Sequence, residues 1–304
     1  MDFLTLTQVK AVLKQEGIDL KKSRGQNLLI DRQGRDKLLS FADLSRDDVV
    51  IEIGAGLGAL TEVLLEKVAR VYAFEVDARF CRLLRQRLGQ RPGLVLLEQD
   101  FLKSDAAWWD TLPEKVKVIS NTPYNLSTAI VCHLLPHFQR LSLILLTVQK
   151  EVGQRLVAGC GSKDYAPVSV LLSLYASARI CYALKKTVFF PQPEVDSVVV
   201  KILPYAEPKL PGKDLQEFES FLSLSFRFRR KKLSNVLEKI FNVDKAVFEA
   251  RLKQAGLPAT VRMEQLSPEQ TLFLFRLLGK PGEKSRVRED FLAREKISNR
   301  LTSP

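Results

Sequence analysis

Four consecutive residues, Asn121-Thr122-Pro123-Tyr124, carry the groups needed to alkylate an amine conjugated with an aromatic ring. The lone pair of such an amine is delocalised into the ring and must be localised and aligned before it can attack a carbon electrophile. The Asn121 side-chain oxygen and the backbone carbonyl at Thr122-Pro123 can each accept one N–H of that amine and hold it in a near-attack geometry. No strong base is required. Pro123 fixes the local backbone and removes a competing donor. Tyr124 offers a flat face for an extruded base, a stacking contact of about 1 to 3 kcal/mol. Phe189, further along the chain, could supply a second aromatic wall. In isolation an N-x-P-Y run is more often just a turn after a strand, so its placement has to decide.

A second group of residues has the spacing of a nucleoside cofactor site. Gly54-Ala55-Gly56-Leu57-Gly58 follows an apolar run and precedes a helical pattern, which brings backbone N–H groups and a helix start close to a ligand. The third glycine comes one position earlier than in the G-x-G-x-x-G of dinucleotide enzymes, which disfavours a nicotinamide oxidoreductase. Glu75 could accept from both hydroxyls of a ribose, and Asp100 from the amine of an adenine; alone, Asp100 could equally be a helix N-cap. Gly25-Gln26-Asn27-Leu28-Leu29 reads from its chemistry as a loop. His133 and His137 lie at helical spacing, but no carboxylate or thiol is arranged around them as a metal set would need, and no metal is expected.

The elements that must position these groups follow from the hydrophobic pattern. Val49–Ile53, Val71–Glu75, Leu94–Leu97, Val116–Ser120 and Leu141–Val148 read as strands alternating with helices, the mark of a mainly parallel α/β sheet. Glu75, Asp100 and Asn121 then sit at or just beyond strand ends, along the carboxyl edge where such sheets bind ligands. Tyr182–Val188 and Ser197–Leu203 read as an antiparallel hairpin closing the sheet, with Phe189 in its loop. The Pro-rich stretch 204–211 marks a boundary, and 214–279 has helical spacing with almost no β-branched runs. The expected domains are 1–205, 206–280 (all-helical) and a charged tail, 281–304.

Composition sets the remaining bounds. The 304 residues carry a net charge of +12. Residues 1–200 hold 26 Lys and Arg against 22 Asp and Glu, and residues 201–304 hold 21 against 13, so most of the excess lies in the last third. Polyanions are the usual partners of such a surface, although charge alone could serve only solubility. No apolar run is long enough to span a bilayer and the first residues lack a signal-peptide pattern, which makes the cytoplasm the expected location. Cys81, Cys132, Cys160 and Cys181 show no paired spacing and are expected to be reduced and mostly buried.

Over residues 20–280 the chain resembles the KsgA-type small-subunit ribosomal RNA adenine dimethyltransferases. The segments that carry the likeness are Gly25–Leu29, Glu52–Gly58, Glu75, Asp100, Asn121–Thr128, Gln149–Val152, Phe189–Val199 and Phe228–Asn235. The resemblance implies a Rossmann-like class I S-adenosylmethionine methyltransferase domain, mostly parallel with a closing antiparallel hairpin, followed by a smaller all-α domain. It implies S-adenosylmethionine contacts at Asn27, Leu29, Gly54, Glu75, Asp100 and Asn121, with Gly56 and Gly58 in the same loop, and base-stacking aromatics at Tyr124 and Phe189. It further implies transfer of four methyl groups to two adjacent adenines near the 3′ end of 16S rRNA in an immature small subunit, by a monomer. Arg227, Arg229, Arg230, Lys231 and Lys232 become an RNA phosphate-binding surface rather than a merely solvated face. Two rivals are a macrolide-resistance type methyltransferase acting on 23S rRNA and a ribosome-assembly factor whose methylation is incidental. Thr122 replaces the leucine usual in the motif, and Gly153 replaces a common alanine.

Overall fold

The computed structural model describes residues 5–20, 25–241 and 244–278. The charged tail 281–304 expected above lies outside the described residues. Nine strands are present among them: β1 (Leu28–Leu29), β2 (Val49–Ile53), β3 (Arg70–Glu75), β4 (Leu94–Glu98), β5 (Val116–Asn121), β6 (Leu141–Gln149), β7 (Ala176–Leu184), β8 (Phe189–Phe190) and β9 (Ser197–Pro204). Seven form one sheet in the order β4-β3-β2-β5-β6-β9-β7. β4, β3, β2, β5 and β6 run parallel, whereas β9 is antiparallel to both β6 and β7.

The chain winds from β2 outward through β3 to β4, then returns to build β5 and β6 on the other side. The reversal lies between β2 and β5, and the crevice above such a switch point is the natural ligand site of an open α/β sheet. The central strands are apolar on both faces, as strands covered by helices must be: Val50 and Ile51 of β2 and Val118 and Ile119 of β5 are fully buried. The helix Ala78–Leu88 shows how one flanking element is set. Asp77 caps its first turn by accepting from the Arg79 N–H, and Phe80, Cys81, Leu83, Leu84 and Leu88 turn inward. Against it packs the helix Leu6–Gln15, with Val9 and Leu13 in a cluster that also holds Leu57 of the glycine loop.

Three expectations need correction. The closing strand spans Ala176–Leu184 rather than 182–188; 186–188 form a 3-10 turn. Most of β7 is exposed or half-buried because it is an edge strand, so it lacks the apolar run that marks the others. Phe189 is not in a loop: with Phe190 it forms β8, which pairs with Leu29 and Leu28 of β1. Finally, the described residues divide into two compact units, one within 5–157 and Tyr175–Pro208, the other within Ala158–Leu174 and 209–278. The boundary read at 205/206 missed Ala158–Leu174, whose Tyr165 hydroxyl donates to Leu266 O and whose Gly161 N–H is given to Glu264 O. Partners so distant in sequence are beyond the reach of local pattern.

In the second unit the helices Leu215–Phe226, Leu233–Phe241, Lys245–Gln254 and Pro268–Leu278 bury an aromatic cluster, with Phe218 against both Phe221 and Phe275. Of the cysteines only Cys81 is buried; Cys132 and Cys181 are half-buried and Cys160 is exposed, so the expectation of mostly buried thiols fails.

Candidate active site

A cleft of ≈ 520 Å³ opens above the carboxyl ends of β2, β3 and β5 and is lined by Asn27, Gly54, Gly56, Glu75, Asp100 and Asn121 among others. These six come from five separate segments. Each is delivered by the end of a strand or the turn beside it, which is why their distances in sequence carried so little warning of their contact.

Asn121 ends β5. Its Nδ2 donates to the Asn27 carbonyl at 2.8 Å. A carbonyl can only accept, so the amide nitrogen must face it and Oδ1 is the atom left over. That oxygen is buried and has no hydrogen-bond partner among the described residues. A buried orphan acceptor costs about 1 to 3 kcal/mol, and because Asn121 lines the cleft a ligand N–H there can complete it. Pro123 O is already occupied by the Leu126 N–H, leaving Thr122 O as the backbone carbonyl the motif can offer.

Glu75 closes the glycine turn from the next strand. Its Oε2 accepts from Gly56 N at 2.8 Å, and its Oε1 from Val76 N and Asp77 N at 2.8 and 2.9 Å. Burial pushes its pKa up, while those backbone donors pull the other way. A carboxylate has about four in-plane acceptor positions, and these donors take three of them. Behind it, burial drives Glu52 up to about 8, with Thr61 lowering it in part and Glu75 raising it further. Asp100 caps the turn Phe101–Lys103 through Leu102 N and also lines the cleft, combining the two roles that its position suggested.

Three expected site residues do not line this cleft. Leu29 sits in the hydrophobic core, and Leu28 lines the cleft in its place, because alternate side chains of a strand point to opposite faces. Gly58 does not line the cleft: a Cβ there would meet Leu84 Cδ2 at 2.8 Å, so the glycine lets the turn close on the helix Ala78–Leu88. Phe189 is 2% exposed and meets Tyr124 edge to face, with centroids 6.5 Å apart at 76°. Pairing of β8 with β1 turns it into the core, so the two rings do not form parallel walls. Tyr124 remains half-buried.

Sequence reading also missed residues. The Tyr124 hydroxyl is 2.6 Å from Ser197 Oγ, a fully buried group at the start of β9, and burial pushes the phenol pKa up so that it stays neutral. Gly25 belongs to the site as well, at φ +61°: a Cβ on it would lie 2.6 Å from Asn125 Oδ1 and 2.9 Å from Tyr124 N. The loop before β1 is therefore pressed against the Asn121–Tyr124 turn. His133 contacts Ser104 at 3.0 Å and His137 stacks on Trp109 with centroids 4.1 Å apart, and burial lowers both pKa values, His137 to about 4. Among the described residues no three His, Cys, Asp or Glu side chains form a metal-ligand group.

In the second unit the basic run divides. Arg227, Arg230, Lys231 and Lys232 lie at the surface in the turn between two helices. Arg229 is not a free phosphate ligand: its Nη1 donates to Lys163 O and Tyr165 O at 2.9 and 3.0 Å, and its Nε lies 3.6 Å from the Glu264 carboxylate. It ties the turn to the segment before the helix Pro167–Tyr175.

Residues 17–280 match the protein family described as ribosomal RNA adenine dimethylase. The chain belongs to that family. It is 36% identical over 269 residues to the ribosomal RNA small subunit methyltransferase A of Halothermothrix orenii, covering 86% of this chain and 89% of the relative. Its counterpart in Streptococcus pneumoniae is 37% identical over 267 residues, covering 85% and 91%. Among solved structures, a dimethyladenosine transferase from Plasmodium falciparum superposes with a TM-score of 0.70 at 24% identity over 82% of this chain and 96% of that one. The 23S rRNA methyltransferase ErmE gives 0.62 at 26% identity over 83% and 99%. The chain is thus an enzyme acting on ribosomal RNA with S-adenosylmethionine as methyl donor. The cleft fits that donor: two glycines give backbone access, Glu75 and Asp100 offer acceptors to a nucleoside, and Asn121 Oδ1 waits beside them. Among the described residues no helix is long and apolar enough to cross a membrane.

Proposed function

We propose that the protein dimethylates N6 of two adjacent adenines in the 3′-terminal hairpin of 16S rRNA, in an immature small ribosomal subunit, as a cytoplasmic monomer. S-adenosylmethionine supplies the electrophilic methyl group on its sulfonium. Gly54 and Gly56 would admit it to the backbone, Asn27 and Leu28 would line its cleft, and Glu75 and Asp100 would accept from its ribose and adenine. The observation that carries the reading is the orphaned Asn121 Oδ1.

Asn121 Oδ1 and Thr122 O accept the two N–H groups of the target amine, which localises its lone pair on nitrogen and holds it toward the methyl donor; as the N–C bond forms the methyl–sulfonium bond would break, and the methylated nitrogen would release one proton to solvent. After the first transfer one N–H remains, and either acceptor can still hold it, so the same pair of oxygens serves a second transfer. Tyr124 stacks on the flipped adenine. Its ring is held by Ser197 at the hydroxyl and by Phe189 at the edge, so Phe189 supports the stacking face rather than adding one. Arg227, Arg230, Lys231 and Lys232 bind phosphates.

The small-subunit target is favoured over the 23S target of ErmE by the names of the relatives and by the Arg229–Asn235 and Pro193–Ser197 segments. The intact acceptor pair argues against a factor that has lost methylation. Asn121→Ala should lower methyl transfer by about 100- to 1,000-fold, the usual effect of deleting one transition-state hydrogen-bond partner. S-adenosylmethionine binding, measured by calorimetry, should persist. Wild-type dimethylation by Asn121→Ala would remove Asn121 from the mechanism.

A further inference from the structure

We propose that Phe228 is a stacking platform for an unpaired nucleobase of ribosomal RNA, with Arg227 and Lys239 taking the phosphates that flank it. The proposal rests on the ribosomal RNA reading above and adds a base contact, beside the phosphate contacts, to the second unit. Phe228 is 45% exposed in the turn between the helices Leu215–Phe226 and Leu233–Phe241. The Arg227 guanidinium carbon lies 5.8 Å from the ring centroid and Lys239 Nζ 5.9 Å from it. Both are at the outer limit of a cation–π contact, and such contacts are weak where solvent has access. A stacked base gains more than the displaced cation loses, and the displaced cation stays within reach of that nucleotide's phosphate.

The backbone of the turn is held rather than loose. Arg229 N–H is given to Phe226 O, Lys231 N–H to Phe228 O, and the Arg229 guanidinium grips Lys163 O and Tyr165 O from within the same unit. An aromatic side chain on a backbone already held in place has less freedom to lose on binding. The setting also selects the partner. Phe228 shares its turn with Arg227, Arg230 and Lys231 and lies beside Lys239, and none of the four forms an ion pair among the described residues. A protein-docking aromatic sits in an apolar surround, whereas single-stranded nucleic acid asks for a ring among cations. In a double-stranded RNA helix the base faces are already stacked on one another, so the fitting element is a loop, bulge or flipped nucleotide.

The test compares wild type, Phe228→Ala and Phe228→Trp for binding to unmethylated small ribosomal subunits over a salt series, with ultraviolet crosslinking to identify what touches residue 228. Phe228→Ala should bind about tenfold more weakly with an unchanged salt slope, because stacking releases no counterions. Phe228→Trp should restore affinity, and the wild-type crosslink should map to an unpaired rRNA base. Undiminished binding by Phe228→Ala, or a crosslink to a ribosomal protein, overturns the proposal. Failure of wild type itself to bind small subunits would instead strike the ribosomal reading, and this proposal with it.

Discussion

At the scale of the residue, the site is a set of buried polar groups whose partners are incomplete. Glu52 is the most open to test, being buried on β2 with its carboxyl pushed up to about 8 from an ordinary 4.5. The native state therefore keeps a proton that the unfolded chain releases. The stability this gives is complete below about pH 4.5 and is lost as pH rises toward about 8. Urea unfolding of wild type should show that loss across the window, and Glu52→Gln should flatten it. Parallel curves for the two proteins would mean that Glu52 is ionised in the fold. Gly54, Glu75, Asp100 and Asn121 were legible in the sequence because each follows an apolar run that had to be a strand. Ser197 and Gly25 were not, since their partners Tyr124 and Asn125 are made neighbours only by tertiary folding.

At the scale of the element, the departures of this chain from its family meet their neighbours in the sheet. Gly153 lies in the helix Lys150–Leu156, and a Cβ there would come within 2.2 Å of Val198 Cγ2 of β9. Valine has no flexible far end to move aside, so Gly153→Ala should destabilise by about 1 to 3 kcal/mol, the range for overpacked cores. Adding Val198→Ala should recover much of that stability in the double variant, measured by denaturant midpoint. A Gly153→Ala protein as stable as wild type would show that helix and sheet can separate freely. Thr122 is buried with its hydroxyl unpartnered among the described residues, so threonine in place of leucine brings a cost without an evident contact. The parallel strands announced themselves through runs apolar on both faces. β7 and β8 did not, one for want of burial and the other because two residues make no pattern.

At the scale of the molecule, most of the basic excess lies in a different part of the chain from the residues that line the cleft. The excess of basic residues was visible in the last third of the sequence, but which of them face solvent was not. Arg229 and Arg230 are adjacent and play opposite parts, one spent on carbonyls within its unit and the other turned to solvent. Arg230→Glu should weaken binding to small subunits and reduce the magnitude of the salt slope by about 1 for each phosphate that Arg230 neutralises, leaving the melting temperature near that of wild type. Arg229→Glu should lower the melting temperature. The reverse pattern, a stable Arg229→Glu with a changed slope, would exchange their roles. Ala158–Leu174 shows why the unit boundary was misread: the chain leaves the second unit to complete the sheet with β7 and β9 and returns at Lys209.

Methyl transfer from the cleft above β2 and β5 to adenine N6 in small-subunit RNA is open to direct measurement. Labelled S-adenosylmethionine supplied to wild-type protein with unmethylated small and large subunits, followed by mapping of the label, tests it directly. The expected result is N6,N6-dimethylation of two adjacent adenines near the 3′ end of 16S rRNA and none in 23S rRNA. Label on 23S rRNA, or on any atom other than adenine N6, would contradict it.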